Sequence, residues 1–185
     1  IDGARIFNAA VSQNLDVKDL VADADSVTFC LSKGLAAPIG SIICGREKFI
    51  YHARRIRKAL GGGMRQAGII ASAGMYSLDN MLDQIREDHK NTTRLADGIN
   101  KIEGLSIDRE NIRSNILYFD IEKGAKRCEQ LARQTKNITV YPFQIALDNI
   151  RFFESRPGRF RLVTHYGITR DDIEKTLEVL DKIVN

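Results

Sequence analysis

Two short apolar runs separated by a turn constrain this chain more than any other feature. Ser26-Val27-Thr28-Phe29-Cys30 is β-branched and aromatic, which predicts a buried strand, and Gly40-Ser41-Ile42-Ile43-Cys44-Gly45 predicts a second one closed by glycine. Between them lies Ser32-Lys33-Gly34-Leu35-Ala36-Ala37-Pro38, whose glycine and proline mark a turn. Helical spacing surrounds the pair. Residues 6–12 and 16–24 read as short helices and 47–60 as a longer one; Gly61-Gly62-Gly63 breaks it before helical spacing resumes at about Gln66.

Further along, Leu82, Ile85, Leu95, Ile99 and Ile102 recur at near three-and-four spacing through a long helix that Gly104 ends. Residues 116–121 then read as a strand, 125–134 as a helix, and 138–141 and 160–164 as strands. The last helix carries the clearest signals. Thr169 is placed as its N-cap with Asp172 three residues on, and Ile173, Leu177, Leu180 and Ile183 form its apolar stripe. No internal repeat or low-complexity segment interrupts this order. The pattern predicts an α/β chain divided near residue 90, with 1–90 as one domain and 91–185 as a smaller one.

Composition excludes several classes. A chain of 185 residues that is 43% hydrophobic and 28% charged is long enough for a real core. It contains no run of about 18 uncharged apolar residues and no secretory order at its start, so nothing predicts a membrane span or export. Cys30, Cys44 and Cys128 are odd in number and widely spaced, and His52, His89 and His165 fall in no ligand spacing. Neither a disulfide framework nor a metal site is expected, and a reducing, cytoplasmic setting fits. Arg46, Lys48, Arg54, Arg55, Arg57, Lys58 and Arg65 cluster within a short stretch and call for an anion. Few aromatics interleave them and no nucleic-acid motif is present, so nucleic acid is not the expected partner.

Lys33 is the residue whose setting asks for chemistry. A lysine in a turn between two apolar strands stabilises neither strand nor helix. Its ordinary pKa is about 10.4, and burial or nearby cations lower that and make the amine a nucleophile toward an aldehyde. Taken alone, Lys33 reads first as a surface-turn lysine. Asp2 alone reads as a turn residue, Arg5 as a solvated helix charge, and Arg161 as one of two alternating arginines on a half-exposed edge strand.

Four segments in order change those readings. Asp2-Gly3-Ala4-Arg5, the block from Ser26 through Lys33 to Gly40, Arg57-Lys58-Ala59-Leu60-Gly61-Gly62-Gly63-Met64-Arg65-Gln66-Ala67-Gly68, and Arg161-Leu162-Val163-Thr164-His165 together resemble the low-specificity L-threonine aldolases. The resemblance spans nearly the whole chain. It implies fold type I of the enzymes that use pyridoxal 5′-phosphate (PLP), with 1–90 as the C-terminal part of the large domain and 91–185 as a small α+β domain.

The resemblance also implies roles. Lys33 would hold PLP covalently as an internal aldimine, and Asp2 would face the pyridine nitrogen and keep the ring an electron sink. Arg5 would reach the ring hydroxyl and the substrate carboxylate, Arg65 the cofactor, and Arg161 the carboxylate; Lys58 corresponds to a basic residue near the phosphate or a neighbouring subunit. By its residues alone the Gly61-Gly62-Gly63 loop reads first as a flexible turn, and it could also let its amides approach a phosphate. The implied reaction splits threonine or allo-threonine into glycine and acetaldehyde, placing the enzyme in glycine formation as a cytoplasmic homotetramer. Another PLP lyase or aminotransferase reaction, or a non-catalytic paralogue, would keep much of the same sequence. The chain opens on Ile1-Asp2 without methionine, which reads as a cut end. The family's ring-stacking histidine and phosphate cradle would then lie upstream, and the 185 residues alone are expected to bind PLP weakly and turn nothing over.

Overall fold

The apolar runs around Lys33 form a β-hairpin in the computed structural model, which describes residues 1–121, 144–147, 150–156 and 158–184. Strand β1 (Ser26–Cys30) pairs antiparallel with β2 (Ser41–Gly45), in register from Ser26 opposite Gly45 to Cys30 opposite Ser41. The chain divides into two units, Ile1–Arg86 and Glu87–Asn185. The helix expected over 125–134 and the strand over 138–141 lie outside the described residues.

In the first unit, helix α1 (Ile6–Gln13) sets Phe7 edge-on to Phe29 at 5.3 Å. Leu31, Leu35, Ala37 and Ile85 are buried together, with Phe7, Val11, Phe29, Leu78 and Met81 packed against them. Helix α2 is only Val17–Leu20, capped by the Asp16 carboxylate accepting from the Lys18 amide at 2.8 Å. It stops short of the expected 16–24 stretch, whose second half carries Asp23, a charge that opposes a helix C-terminus. Helix α3 (Glu47–Ala59) follows β2, and α4 (Gly68–Asn80) begins after Gln66, which takes a left-handed φ of 49°.

The expectation that both strands are buried is met only in part. β1 is half-buried along its length, whereas β2 is exposed along its length, Ile42 and Ile43 included. Its apolar side chains suit a strand covered on both faces, but among the described residues the sheet ends at β2.

Helix α5 (Leu82–Ile99) spans the division between the units. The second unit is an antiparallel sheet of β3 (Leu105–Ile107), β4 (Ile116–Ile121), β5 (Gln144–Leu147), β6 (Ile150–Arg156) and β7 (Arg159–Val163), in the order β3-β4-β7-β6-β5. One face buries Leu117, Phe119, Phe152 and Phe160 against Leu95 and Ile99 of α5 and Ile173, Val179 and Leu180 of the final helix α6 (Arg170–Val184). This is the α+β unit expected of the C-terminal stretch.

The start of α6 closes as the sequence predicts. The Asp172 amide donates to Thr169 Oγ1 at 3.2 Å, while the Thr169 amide and hydroxyl donate to Asp172 Oδ2 at 2.8 and 2.7 Å. This reciprocal arrangement is a capping box. The Thr169 hydroxyl, then its amide, hold the Asp172 carboxyl below its ordinary range. A carboxyl with a lowered folded pKa contributes stability above its unfolded value of about 4, lost as pH falls through the folded one. Thr169→Val removes the hydroxyl. We expect the Asp172 carboxyl, followed by NMR, to titrate closer to its ordinary value in that variant, and this part of the acid sensitivity to shrink. An unchanged Asp172 titration would contradict the geometry.

Candidate functional site

The shape of the Lys33 loop follows from which of its side chains are apolar. Leu31, Leu35 and Ala37 are buried, while Ser32, Lys33, Ala36 and Pro38 are exposed. The Leu31 amide donates to the Gly40 carbonyl at 2.9 Å, that of Ala37 to Leu31 at 3.0 Å, and that of Ala36 to Lys33 at 2.9 Å. The last bond makes a four-residue turn starting at Lys33, which Ala36 completes with a left-handed φ of 55°. Gly34 is buried against α1: a Cβ there would lie 2.5 Å from Asn8 Oδ1. Lys33 itself is exposed among the described residues.

Residues 1–4 run alongside β1 in the same direction. The Gly3 amide donates to the Thr28 carbonyl at 2.8 Å, the Thr28 amide to Ile1 at 3.0 Å, and Asp2 bridges Thr28 in parallel register. Gly3 permits this approach, since a Cβ would sit 2.9 Å from the Thr28 oxygen. Two parallel neighbours deliver their carboxyl ends to one edge of a sheet, where α/β proteins bind ligands. One segment carries Asp2, opposite Thr28, and then Arg5; the other runs on through Cys30 to the Lys33 loop. Asp2 is exposed, and Arg5 is half-buried at the N-cap of α1.

The glycine loop behaves differently from expectation. Gly61, at a φ of 88°, ends α3 with its amide donating to Lys58 at 3.1 Å and that of Gly62 to Arg57 at 2.8 Å, the paired bonds of a Schellman cap. The Gly63 amide donates to Gly61 at 2.9 Å. All three amides therefore have acceptors within the loop, and the phosphate approach expected of them is not available in this arrangement. Side chains lie close instead: a Cβ on Gly63 would be 2.6 Å from the Lys58 ammonium. Lys58 and Arg65 remain as exposed cations on either side of the loop.

In the second unit, β7 is an interior strand, not the edge strand its alternating arginines allowed, because β4 and β6 flank it. The two arginines are not equivalent. Arg159 is held by both Asp120 carboxylate oxygens at 2.9 Å each and lies 5.9 Å over the Tyr118 ring. Arg161, opposite Tyr118 in register, is exposed and in no ion pair among the described residues. The end of its strand is clamped. Thr164 Oγ1 donates to the Asp88 carbonyl at 2.6 Å and shares a 2.7 Å hydrogen bond with Thr92 Oγ1, and Asn115 Nδ2 donates to the Thr164 carbonyl at 2.7 Å. Among the histidines, His165 Nδ1 lies 2.8 Å from the Tyr166 carbonyl, His52 meets Tyr51 edge-on, and burial pushes the His89 imidazole below its ordinary pKa. No group of metal-ligating side chains occurs among the described residues, and no helix among them is long and apolar enough to cross a membrane.

Sequence reasoning passed over Asn8 and the Thr92–Thr164–Asn115 clamp. Asn8 did leave a signal, a polar residue between Ile6 and Ala10 on the core-facing side of α1. Of the clamp, Thr164 lies in the segment Arg161–His165, while Thr92 and Asn115 left no signal beyond isolated polar positions.

Comparison with known proteins bears on the same segments. The model of a family described as "Beta-eliminating lyase" matches residues 1–122. The chain is 38% identical over 177 residues to a low-specificity L-threonine aldolase of Arabidopsis thaliana, covering 96% of this chain and 47% of that protein. It is 37% identical over 175 residues to the low specificity L-threonine aldolase of Escherichia coli O157:H7, covering 94% and 47%. A solved structure of the Leishmania major threonine aldolase superposes with a TM-score of 0.67 at 20% identity, over all of this chain and 51% of that one. The chain spans about half the length of the curated relatives it matches.

Proposed function

The chain belongs to the β-eliminating lyase family, and from that premise we propose that the full-length protein is a PLP-dependent threonine aldolase, cleaving threonine-like β-hydroxy-α-amino acids to glycine and an aldehyde. The observation that supports this reading is that the segment carrying Asp2 and Arg5 runs parallel to β1, the strand that leads into the Lys33 loop. A carboxylate, a guanidinium and a primary amine are the donor set PLP calls for: an acceptor for a protonated ring nitrogen, a partner for oxygens and a nucleophile for an aldehyde. When bound, PLP supplies the electron sink for charge left at the substrate Cα. Lys33 anchors the cofactor through its amine, Asp2 accepts from the ring nitrogen, and Arg5 binds oxygen pairs as a fork. Arg65 and Lys58 are the cations we assign toward the phosphate, because the neighbouring glycine amides already have acceptors. The role of Arg161 toward the substrate carboxylate rests on its motif and on its having no ion pair among the described residues, where Arg159 is engaged by Asp120.

The same reading makes 1–90 part of the cofactor-binding domain, 91–185 the small domain, and the whole a cytoplasmic homotetramer. In favour of assembly, α3 and α4 expose Tyr51, Ile56, Ile69 and Tyr76, apolar area of the kind that marks an interaction surface. Sedimentation of the full-length protein tests the subunit count.

Supplying the full-length protein with PLP and either L-threonine or L-allo-threonine separates the reactions. Glycine and acetaldehyde in equal amounts are expected. Ammonia with a 2-oxo acid would instead assign β-elimination, and an amino-group acceptor requirement would assign transamination.

A further inference from the structure

Asn8 is a buried polar side chain that the reaction as described does not use. It lies in the first turn of α1, is 2% exposed, and its amide fills the space a side chain at position 34 would occupy. Gly34 directly follows Lys33. Helix α1 directly follows Asp2-Gly3-Ala4-Arg5 and is fixed on β1 by the edge-on contact of Phe7 with Phe29. One side chain thus touches the lysine loop from a helix whose start is continuous with the other segment of the site.

From this contact we infer that Asn8 is a positioning residue for Lys33: it sets the Lys33–Gly34 peptide against α1, and through it fixes where the Lys33 amine stands relative to Asp2 and Arg5. The inference rests on the reading of Lys33 as the cofactor lysine for its functional meaning, but the contact itself does not. Two features make the contact specific. The Asn8 amide is buried, where a polar group is kept for the contacts it makes rather than for volume alone. A Cβ on Gly34 would lie 2.5 Å from Asn8 Oδ1, so either the buried Asn8 amide or the Gly34 backbone has to give way. The next anchor, Leu35, is 1% exposed, so the loop cannot relieve a push at Gly34 by swinging outward without uncovering it. Where Gly34 is the part that gives way, it carries Lys33 with it.

The test uses the full-length protein and Asn8→Leu, Gly34→Ala and the double variant Asn8→Ala/Gly34→Ala. Two readouts are taken on each. The first needs no cofactor: the pH profile of Lys33 labelling by formaldehyde with cyanoborohydride, resolved by peptide mass. The second is the fraction of Lys33 trapped by borohydride after incubation with PLP. Asn8→Leu and Gly34→Ala are each expected to move the labelling profile along the pH axis and to slow PLP capture ten- to a hundredfold, the scale that about 1 Å of misplacement costs. The double variant, with the obstacle removed, is expected to recover much of the loss of Gly34→Ala. If the single variants melt earlier yet keep the wild-type labelling profile and capture rate per folded molecule, Asn8 is only a packing residue and the inference is overturned. If Asn8→Leu does not fold, the comparison of Gly34→Ala with the double variant decides, absence of recovery counting against the contact. Should the wild type capture no PLP at Lys33 while the labelling profile still shifts, Asn8 positions the lysine and the cofactor reading is what fails.

Discussion

Lys33→Ala is expected to remove covalently held PLP from the full-length protein and to lower kcat/KM for threonine cleavage by about 10³-fold or more, the scale on which loss of a nucleophile is felt. The amine is the group no neighbour replaces. Ser32 beside it offers a hydroxyl, which forms no stable imine, and Lys58 belongs to a different segment, its ammonium folded over Gly63. The same substitution should leave the fold nearly untouched. Lys33 is exposed, and its turn is held by its carbonyl accepting from Ala36, a bond alanine keeps. A stability change within about 0.5 kcal/mol is therefore expected. Lys33→Arg sharpens the result, since it preserves the charge and most of the length but offers no amine able to form the imine. Visible absorbance of added PLP, the glycine assay and a thermal melt on the three proteins check it. Lysine-independent colour with undiminished turnover would sink the assignment of Lys33.

How much of this was legible beforehand depends on the range of the interaction. Local chemistry was readable: the hairpin strands lie where β-branched runs place them, the Thr169–Asp172 box closes where a threonine and an aspartate stand three apart, and Gly61 ends α3. Where hydrogen-bond partners or a second element decide, the sequence fell short. The glycine loop looked open to a phosphate, but its amides turn back onto Arg57, Lys58 and Gly61, a choice set by helix capping rather than composition. Arg159 and Arg161 look alike in a strand, and only the register that sets Asp120 opposite Arg159 separates a structural cation from an available one. Asn8 and Gly34 are 26 positions apart, so their contact exists only once α1 lies against the loop. Candidate residues were nameable; what surrounds them was not. The burial of β2 was misjudged for a similar reason, since covering a strand takes elements the strand's own sequence does not contain.

Phe119→Ala is expected to be the most costly single truncation in the second unit. Phe119 is 1% exposed at the centre of β4, stacked on Phe160 at 5.4 Å with an interplanar angle of 21° and edge-on to Phe152 at 6.5 Å. Removing the ring leaves a cavity among side chains from β4, β6, β7, α5 and α6 that cannot all collapse into it, which costs about 3–5 kcal/mol. Domains of ordinary stability hold only about 5–15 kcal/mol, so this unit would lose a large share of its margin. In urea, the transition should move to lower denaturant with its slope unchanged, as for a loss of stability without a change in the surface exposed. Tyr118→Ala is the internal control. Tyr118 points to the opposite, exposed face of the same strand, where its described partner is the Arg159 guanidinium 5.9 Å from the ring, a contact worth about 0.5–1 kcal/mol at such a site. The contrast tests the register directly, because a one-residue slip of β4 would exchange the two faces. A larger loss from Tyr118→Ala than from Phe119→Ala would mean that the sheet faces the other way and that Arg161, opposite Tyr118, points into the core rather than away from it.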